Sequence, residues 1–155
     1  MSVQVRAAYQ DDWDDAMQLA WKTFLEFEAP VYKPEGIRSF YDFIKDDQLR
    51  RMFLMGAYQM FVAFADGKMI GMITMRGQGH ISLLFVDEQF HRQGIGRVLI
   101  ETLAGYLKNE MGMDRMTVNS SPYGVGFYHK LGFQDMGSET ETDGIKYTPM
   151  ELLLS

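Results

Sequence analysis

The spacing of apolar and polar residues predicts a strand and a helix at the start of the chain. Val3 to Ala7 is predicted as a short strand. The acidic run Asp11 to Asp15 is predicted to open a helix, because carboxylates stabilise helix N-termini. The apolar positions of that helix recur at helical spacing: Met17, Ala20, Trp21, Phe24 and Leu25.

Two prolines interrupt this helical pattern. Pro30 and Pro34 predict a loop over Glu26 to Gly36, since proline disfavours a helical conformation in the residue before it. A second helix is predicted after the loop and continues toward Met52. Its apolar positions are Ile37, Phe40, Tyr41 and Ile44.

A hairpin and a buried strand are predicted in the middle of the chain. Tyr58 to Ala65 and Lys68 to Met75 are strand-like runs on either side of Asp66-Gly67. That dipeptide is typical of a two-residue type I′ turn, so the two strands are predicted to pair antiparallel. Ile81 to Val86 is apolar on both faces, which predicts the central strand of a covered sheet.

A long helix is predicted after the next turn. One apolar stripe supports it: Ile95, Val98, Leu99, Leu103, Tyr106 and Leu107. Arg97 and Glu101 are predicted to pair at i,i+4 on the other side of this helix.

The C-terminal part is predicted to alternate short strands and a short helix. Met113 to Asn119 is predicted as a strand, and Tyr123 to Leu131 as a helix that Gly132 ends. Two final strands, Phe133 to Ser138 and Ile145 to Leu154, flank a polar turn at Asp143-Gly144. Within the last strand, Pro149 predicts an edge position or a bulge.

Composition predicts one domain over residues 1–155. The chain has 155 residues, of which 46% are hydrophobic, enough for one sizeable core and too few for two. Its lack of cysteine excludes disulfides, thiolate metal sites and a cysteine acyl-enzyme. No apolar run approaches the roughly 20 residues of a membrane helix, and the N-terminus lacks a signal-peptide pattern, so we expect a soluble, cytoplasmic protein without a membrane partner.

The charge balance argues against nucleic acid as a partner. The formal net charge is −6 at pH 7, whereas a nucleic-acid surface needs a basic face. Carboxylates crowd the first third of the chain. They form either a solvated helix face or a surface that attracts a cationic substrate.

A glycine-rich turn follows the predicted central strand. It has the sequence Phe90-His91-Arg92-Gln93-Gly94-Ile95-Gly96-Arg97. Free backbone N–H groups and the helix dipole favour an anion at such a strand-to-helix turn, so a phosphate-bearing ligand is expected. A dinucleotide fingerprint would need a third glycine where Leu99 stands, and no GxxxxGK[ST] motif occurs.

A second group of residues lies further along the chain. It comprises Val118-Asn119-Ser120-Ser121-Pro122-Tyr123 and Phe127-Tyr128-His129-Lys130-Leu131-Gly132-Phe133. Together with the glycine-rich turn and the strand before it, these segments resemble the GCN5-related N-acetyltransferase (GNAT) family in its small bacterial form. The family's turn has the pattern Q/R-x-x-G-x-G/A, and its later F-Y-x-K-x-G-F segment carries the catalytic acid.

The resemblance implies a fold and an activity. The fold is α/β (α+β): a mixed, mostly antiparallel, twisted sheet of about six or seven strands flanked by about four helices, in the order β-α-α-β-β-β-α-β-α-β-β. The activity is that of an N-acetyltransferase, which moves an acetyl group from acetyl-CoA to a primary amine of a small molecule or a peptide. The acidic first third gently favours a small cationic amine.

The resemblance also implies positions for acetyl-CoA. Backbone groups of the central strand would meet the pantetheine arm at Leu84, Phe85 and Val86. Amides of the turn would surround the pyrophosphate at His91, Arg92, Gln93, Gly94, Ile95, Gly96 and Arg97. His91 departs from the family's usual Gln or Arg. Asn119 or Ser121 would take the role of the family's asparagine, and Lys130 would meet a phosphate or face solvent.

The chemistry needs a proton donor, a site for the oxyanion and a base. Resemblance makes Tyr128 the donor to the departing thiolate, and a backbone N–H near Val86 would hold the oxyanion. Direct transfer is expected, because the chain offers no cysteine nucleophile and no G-x-S-x-G serine. The base stays open among Glu26, Glu28, His80 and a bound water, and the three residues are also candidates for substrate binding.

Two other functions fit the same sequence. The three histidines show no metal spacing, so no metal is expected in any of these functions. One alternative is a non-catalytic acyl-CoA sensor that uses the same turn. The other is a homodimeric interaction module whose exposed sheet edge, around Thr148 to Leu154, pairs with a second copy.

Overall fold

A computed structural model describes residues 2–155, which form one eight-stranded sheet with helices on both faces. The strands are β1 (Val3–Ala7), β2 (Gln59–Ala65), β3 (Lys68–Arg76), β4 (His80–Val86), β5 (Arg115–Ser120), β6 (Gln134–Asp135), β7 (Thr140–Thr142) and β8 (Ile145–Leu153). The helices are α1 (Trp13–Phe27), α2 (Pro34–Ile44), α3 (Asp47–Leu54), α4 (Ile95–Met111) and α5 (Val125–Lys130). Short 3₁₀ turns lie at Gln10–Asp12, Ala29–Val31 and Glu88–Phe90.

The sheet is mixed and mostly antiparallel, as the resemblance implies. Its strand order is β1-β2-β3-β4-β5-β8-β6, with β7 paired to β8. Among the strands of residues 2–155, only β4 and β5 pair in parallel. The described residues form eight strands and five helices, one more of each than the resemblance implies at most. Strand β6 occupies part of the predicted strand at 133–138 and β7 is an additional strand after it. The second predicted helix is divided into α2 and α3.

The N-terminal helices correct the prediction made from the prolines. Pro34 begins α2 instead of preceding it, since the missing N–H of proline costs nothing in the first helical turn. The predicted loop over 26–36 is therefore limited to the few residues between α1 and α2. Helix α2 ends at Ile44, and the Asp46 carboxylate accepts a hydrogen bond from the Gln48 amide at 2.8 Å to start α3.

The β2–β3 hairpin has the predicted turn. Asp66 and Gly67 have φ of 51° and 79°, the left-handed backbone that both central residues of a type I′ turn adopt. The strands pair antiparallel from Ala65↔Lys68 to Gln59↔Met75, with a bulge at Ala63/Phe64.

Two hydrophobic clusters hold the helices to opposite faces of the sheet. Helices α1, α2 and α3 pack on one face, where Phe24 and Phe40 stack with ring centroids 4.0 Å apart. Helix α4 packs on the other face through buried apolar residues: Ile95, Leu99, Leu103 and Leu107. Val98 is exposed, and the predicted Arg97–Glu101 ion pair is not formed in the described part of the chain.

The last strand is interior to the sheet, which corrects two predictions. Strand β8 pairs with β5 along Thr148 to Leu153 and with β6 on its other side. Pro149 is tolerated because its missing N–H lies on the same side of the strand as its carbonyl, which accepts from the Met136 amide at 2.7 Å just beyond the end of β6, so no bond to β5 is lost. At Met150 and Glu151 the strand is paired on both sides, so the edge on which the interaction-module alternative depends is not free at these residues.

The parallel contact between β4 and β5 is short, and this opens the sheet. Only His80↔Thr117 and Ile81↔Val118 are in register, so the two strands separate beyond Val118. Strand β4 is central, as predicted, but its burial alternates. Leu84 and Val86 are half-buried: they pack against the cluster beneath α4 and also line the opening.

The start of α2 contacts the β7–β8 hairpin, and we call this contact the clasp. The Ser39 hydroxyl donates to the Asp143 carbonyl at 3.1 Å, and the Lys33 ammonium lies 3.1 Å from the Glu141 carboxylate. Gly36 packs directly on Gly144, so that a Cβ on Gly36 would overlap the Gly144 carbonyl oxygen. The clasp bridges the two halves of the sheet on the α2 face.

Gly36→Ala tests this contact. We expect the added methyl to lower the free energy of unfolding by about 1–3 kcal/mol through overpacking against backbone atoms. The melting temperature should fall by several degrees. Thermal unfolding followed by circular dichroism measures both.

Gly105→Ala is the matched control. It adds the same methyl within α4, where the nearest atom is the Asn109 side-chain nitrogen at 4.0 Å. Alanine is preferred over glycine in a helix by about 0.5–1 kcal/mol, so this variant should be more stable than the parent. An unchanged melting temperature for Gly36→Ala would show that the clasp does not form as described.

Candidate active site

A cleft of about 1220 Å³ occupies the opening between β4 and β5, and we call it the central cleft. One end lies at the turn that precedes α4, and the other at the start of β4 beside Arg76 and His80. The segment between α1 and α2, α5 and the start of β8 complete its walls. The cleft thus brings together segments that are far apart in sequence.

The turn before α4 is shaped to hold an anion. Arg92 and Gly94 have φ of 64° and 80°, both left-handed. The first helical hydrogen bond runs from the Val98 amide to the Gly94 carbonyl at 3.0 Å, so the amides of residues 92–97 precede the hydrogen-bonded part of α4. Such a turn at a helix N-terminus presents N–H groups to a phosphate, and it fits the pyrophosphate of coenzyme A.

The two glycines of the turn have different physical roles. A Cβ on Gly94 would meet nothing within 4 Å, so that glycine serves the left-handed backbone. A Cβ on Gly96 would lie 2.9 Å from the Phe127 ring, so that glycine lets α5 pack against the first turn of α4. The spacing of the glycines therefore reflects packing as well as ligand geometry.

The edge of β4 offers backbone donors to the cleft. The Asp87 amide donates to the Ile70 carbonyl on the β3 side at 2.8 Å. Because main-chain N–H groups alternate along a strand, those of Val86 and Leu84 face the opposite side, toward the separated β5. These are the backbone groups that pantetheine and a carbonyl oxygen need, at the positions that the resemblance indicates.

His91 contacts protein at the end of β4. Its Nε2 lies 2.7 Å from the Val86 carbonyl oxygen, so this nitrogen carries a proton and donates. The ring also packs against Phe27, with centroids 4.8 Å apart. His91 thus fixes the orientation of the Val86 peptide, a contact that its position in the turn alone does not predict.

Tyr128 combines a packed ring with a hydroxyl at the cleft. Its residue exposure is 7%, and the ring makes edge contacts with Phe127 and Phe133 at 5.2 and 5.1 Å. Burial, and secondarily the negative charge of Glu28, raise the pKa of the phenol above its ordinary value. The phenol therefore stays protonated at neutral pH, as a proton donor requires.

The carboxyl of Glu28 has its pKa shifted toward neutral pH by the cleft. Burial raises the pKa of its carboxyl to about 7, although the nearby Ser121 hydroxyl, which can donate to the carboxylate, opposes part of this rise. Its charge also raises the pKa values of Tyr32 and Tyr128, so Glu28 lies close to both phenols. A carboxyl poised near neutral pH beside a phenol is suited to acid–base catalysis.

Four further predicted residues line the cleft. Asn119 and Ser121 both do so, and the Ser121 hydroxyl accepts from the Gly124 amide at 3.2 Å. His80 is half-buried with Nδ1 2.8 Å from the Thr117 hydroxyl, and burial together with the charge of Arg76 lowers its pKa. Lys130 is exposed at the end of α5.

Two predicted residues lie outside the cleft. The Glu26 side chain points away because one helical step of about 100° separates it from Phe27, which does line the cleft. A hydrogen bond with the neighbouring Glu88 is the main cause that raises the pKa of the Glu26 carboxyl. The exposed Gln93 side chain donates to the Gln89 carbonyl at 3.3 Å instead of facing the cleft. Neither side chain is positioned to contact a ligand in the central cleft.

Several cleft residues have no distinguishing pattern in the sequence. The clearest examples are Phe27, Tyr32, Arg76, Tyr123 and Lys146. Phe27 contacts Tyr123 across the cleft at 5.2 Å, and the Tyr32 hydroxyl donates to the Lys146 carbonyl at 3.2 Å. Such contacts depend on tertiary packing, which local periodicity does not encode.

Residues 2–155 contain neither a candidate metal site nor a membrane-spanning helix. Within that range, no group of three or more histidine and acidic residues could hold a metal ion. No helix there is long and apolar enough to cross a membrane.

Solved structures share this fold at low sequence identity. A GCN5-related N-acetyltransferase from Rhodopseudomonas palustris matches with a TM-score of 0.84 and 20% identity, covering 99% of this chain and 97% of that one. The PaiA N-acetyltransferase from Thermoplasma acidophilum, in complex with coenzyme A, matches with a TM-score of 0.79 and 20% identity, covering 97% and 98%. At these identities the likeness shows the fold.

Sequence comparison gives the family. The peptidyl-lysine N-acetyltransferase YjaB of Salmonella typhimurium is 32% identical over 99 residues, which span 61% of this chain and 63% of that protein. The family model of the acetyltransferase (GNAT) domain matches residues 28–154, most of the chain. The chain therefore belongs to the GNAT family of acetyltransferases, enzymes whose acyl donor is acetyl-CoA.

Proposed function

We propose that residues 1–155 act as a single domain that transfers the acetyl group of acetyl-CoA directly to a primary amine. One observation carries the proposal: Glu28 and Tyr128 both line the cleft where β4 and β5 separate. A base for the amine and an acid for the thiolate then flank the free edge of β4. Acetyl-CoA supplies an acetyl thioester there.

The turn and the β4 edge provide the binding surface. The amides of residues 92–97 hold the pyrophosphate, and Arg92 and Arg97 add positive charge at the same end of the cleft. The backbone groups of Leu84 to Val86 bind the pantetheine arm. His91 holds the Val86 carbonyl, which leaves the Val86 N–H to face the acetyl carbonyl oxygen.

Glu28 and Tyr128 divide the proton transfers. As the nitrogen–carbon bond forms, the Glu28 carboxylate accepts a proton from the amine. As the carbon–sulfur bond breaks, the Tyr128 phenol donates a proton to the departing thiolate. Glu28 then releases its proton to solvent and Tyr128 takes one up, which restores both groups for the next turnover.

Tyr128→Phe tests the donor. We expect kcat to fall by about 10²–10⁴-fold, the range typical of a lost acid–base group. The affinity for acetyl-CoA should be nearly unchanged because the ring packing is retained. Release of coenzyme A thiol, followed with an amine acceptor, measures the effect.

Tyr106→Phe is the control for that experiment. It removes a hydroxyl from α4 outside the central cleft, where the ring contacts Phe61. It should keep parental kcat. Full turnover by Tyr128→Phe would remove the proposed role.

The pH profile tests Glu28 as the base. A base must be deprotonated, so kcat/KM should rise with pH through about 7, the pKa of the Glu28 carboxyl. Because the acceptor amine titrates as well, the profile is measured with two acceptors of different amine pKa. The limb near 7 should occur with both acceptors and should be absent in Glu28→Gln.

If the limb of the pH profile moves with the acceptor's pKa and persists in Glu28→Gln, the limb reports titration of the amine and not of Glu28. Glu35→Gln, an exposed change in the first turn of α2, is the control and should keep the limb.

Gly94→Ala tests the amide turn. Gly94 and Gly56 both have φ of 80°, and a Cβ on either would meet nothing within 4 Å. Alanine at each position therefore introduces a similar backbone strain, about 1 kcal/mol or more. Only Gly94→Ala should weaken coenzyme A binding in calorimetry, by about 10-fold or more, because only that turn holds the pyrophosphate.

Equal coenzyme A affinities in the Gly94→Ala and Gly56→Ala variants would contradict this binding site. Comparable losses of thermal stability in the two variants would verify that the strain is matched.

A further inference from the structure

The central cleft has the opposite charge balance to the whole chain. Among the described residues that line it, the cationic side chains number five: Arg76, Arg92, Arg97, Lys130 and Lys146. The acidic residues that line it are Glu28 and Asp143. The chain as a whole carries a formal net charge of −6. A basic cleft in an acidic protein indicates ligands with negative charge.

Acetyl-CoA accounts for only one end of this charge. Arg92 and Arg97 belong to the turn that holds the pyrophosphate. Arg76 lies at the other end, where β3 finishes, and its cross-strand partner is His80 at the start of β4. Its positive charge therefore lies at the end of the cleft away from the turn that holds the pyrophosphate.

Arg76 has no compensating carboxylate. Within residues 2–155, no carboxylate oxygen lies within 4.0 Å of its guanidinium, whereas Arg6 and Arg115 both form ion pairs. Arg76 is close enough to His80 to lower the pKa of its imidazole together with burial, and close enough to Tyr58 to oppose part of the rise that burial causes in the pKa of that phenol. The lowered pKa of His80 means that the group beside Arg76 is neutral at pH 7.

The acidic residues of the first third do not offset this charge. Asp12 is paired with Arg6 at 2.7 Å, and of the other carboxylates in residues 2–50 only Glu28 lines the cleft. Glu28 itself is partly protonated near neutral pH. Asp143 is exposed and accepts the Ser39 hydroxyl through its main-chain carbonyl. The structure thus removes the basis for expecting a cationic acceptor.

We infer that the acceptor is an amine that also carries an anionic group, a carboxylate or a phosphate, which Arg76 binds while the amine faces Glu28. This inference rests on the proposed acetyl transfer and names its substrate class. The guanidinium offers a planar pair of donors that matches either anion. His80 and Val86 are six residues apart on β4, which corresponds to roughly 20 Å of strand, so the acceptor is extended.

The experiment compares acceptors that differ only in charge. The probes are oligoglycines of two to six residues with a free C-terminal carboxylate, each paired with its C-terminal amide, and aminoalkyl phosphonates. We expect kcat/KM to be about 10- to 100-fold higher for the acid than for the amide at the best length. The preference should shrink as ionic strength rises, since exposed charges are screened.

Arg76→Gln should abolish the preference, and Arg76→Lys should restore part of it. Arg50→Gln, a change at an exposed arginine of α3 outside the cleft, should keep it. Higher activity with carboxylates or with phosphonates would identify which anion the site prefers. Equal kcat/KM for each acid and its amide, with thiol released, would overturn this inference and leave acetyl transfer standing.

A binding measurement covers the case in which none of these probes is acetylated. The N-acetylated oligoglycine acids and their amides are compared as stabilisers in thermal melting with coenzyme A present. Greater stabilisation by the acid, lost in Arg76→Gln, would support the anion site without turnover. Equal stabilisation, or a preference that persists in Arg76→Gln, would contradict it.

Discussion

The separation of β4 from β5 is the constraint on which the site depends. The two strands hold register at only two residue pairs, and beyond that point the main-chain groups of β4 that face β5 have no partner strand among the described residues. Unpaired backbone groups are costly when buried, so a sheet opened in this way is stable only where water or a ligand can reach it. The same opening exposes Leu84 and Val86, admits the Tyr128 hydroxyl and gives Glu28 a cavity to face.

Local patterns made part of this arrangement predictable, and long-range packing decided the rest. The Asp66-Gly67 hairpin and the strand-to-helix turn at residues 90–97 follow from backbone preferences of a few adjacent residues, and both were predicted closely. Pro34 was misinterpreted because proline both ends and begins helices, and the choice depends on what lies beyond it. Arg76 and Tyr32 carry no local signature. Arg76 reaches the cleft through strand register and the bulge at Thr74/Met75, and Tyr32 through its hydrogen bond to β8.

The raised pKa of Glu28 makes its contribution to the stability of the fold depend on pH. The pKa of this carboxyl in the folded protein, about 7, exceeds its ordinary value of 4.5. The folded protein therefore binds more protons at this site than the unfolded chain between those values. The contribution of Glu28 to stability is fully present below pH 4.5 and is lost as the pH rises through about 7. The ionised form that accepts the amine proton is thus the less stabilising one.

The charge of the cleft also affects the nucleophile itself. An amine attacks only in its neutral form, and a site built to bind an ammonium ion would favour the protonated form by raising its pKa. A cleft that instead binds the acceptor through a distant anion avoids this conflict. Arg76 would then be neutralised by the acceptor's anion at the far end of the strand from the amine, and the arginines of the turn by the pyrophosphate. The basic lining thus serves both ligands by holding their anionic groups, and Glu28 alone accepts the amine's proton.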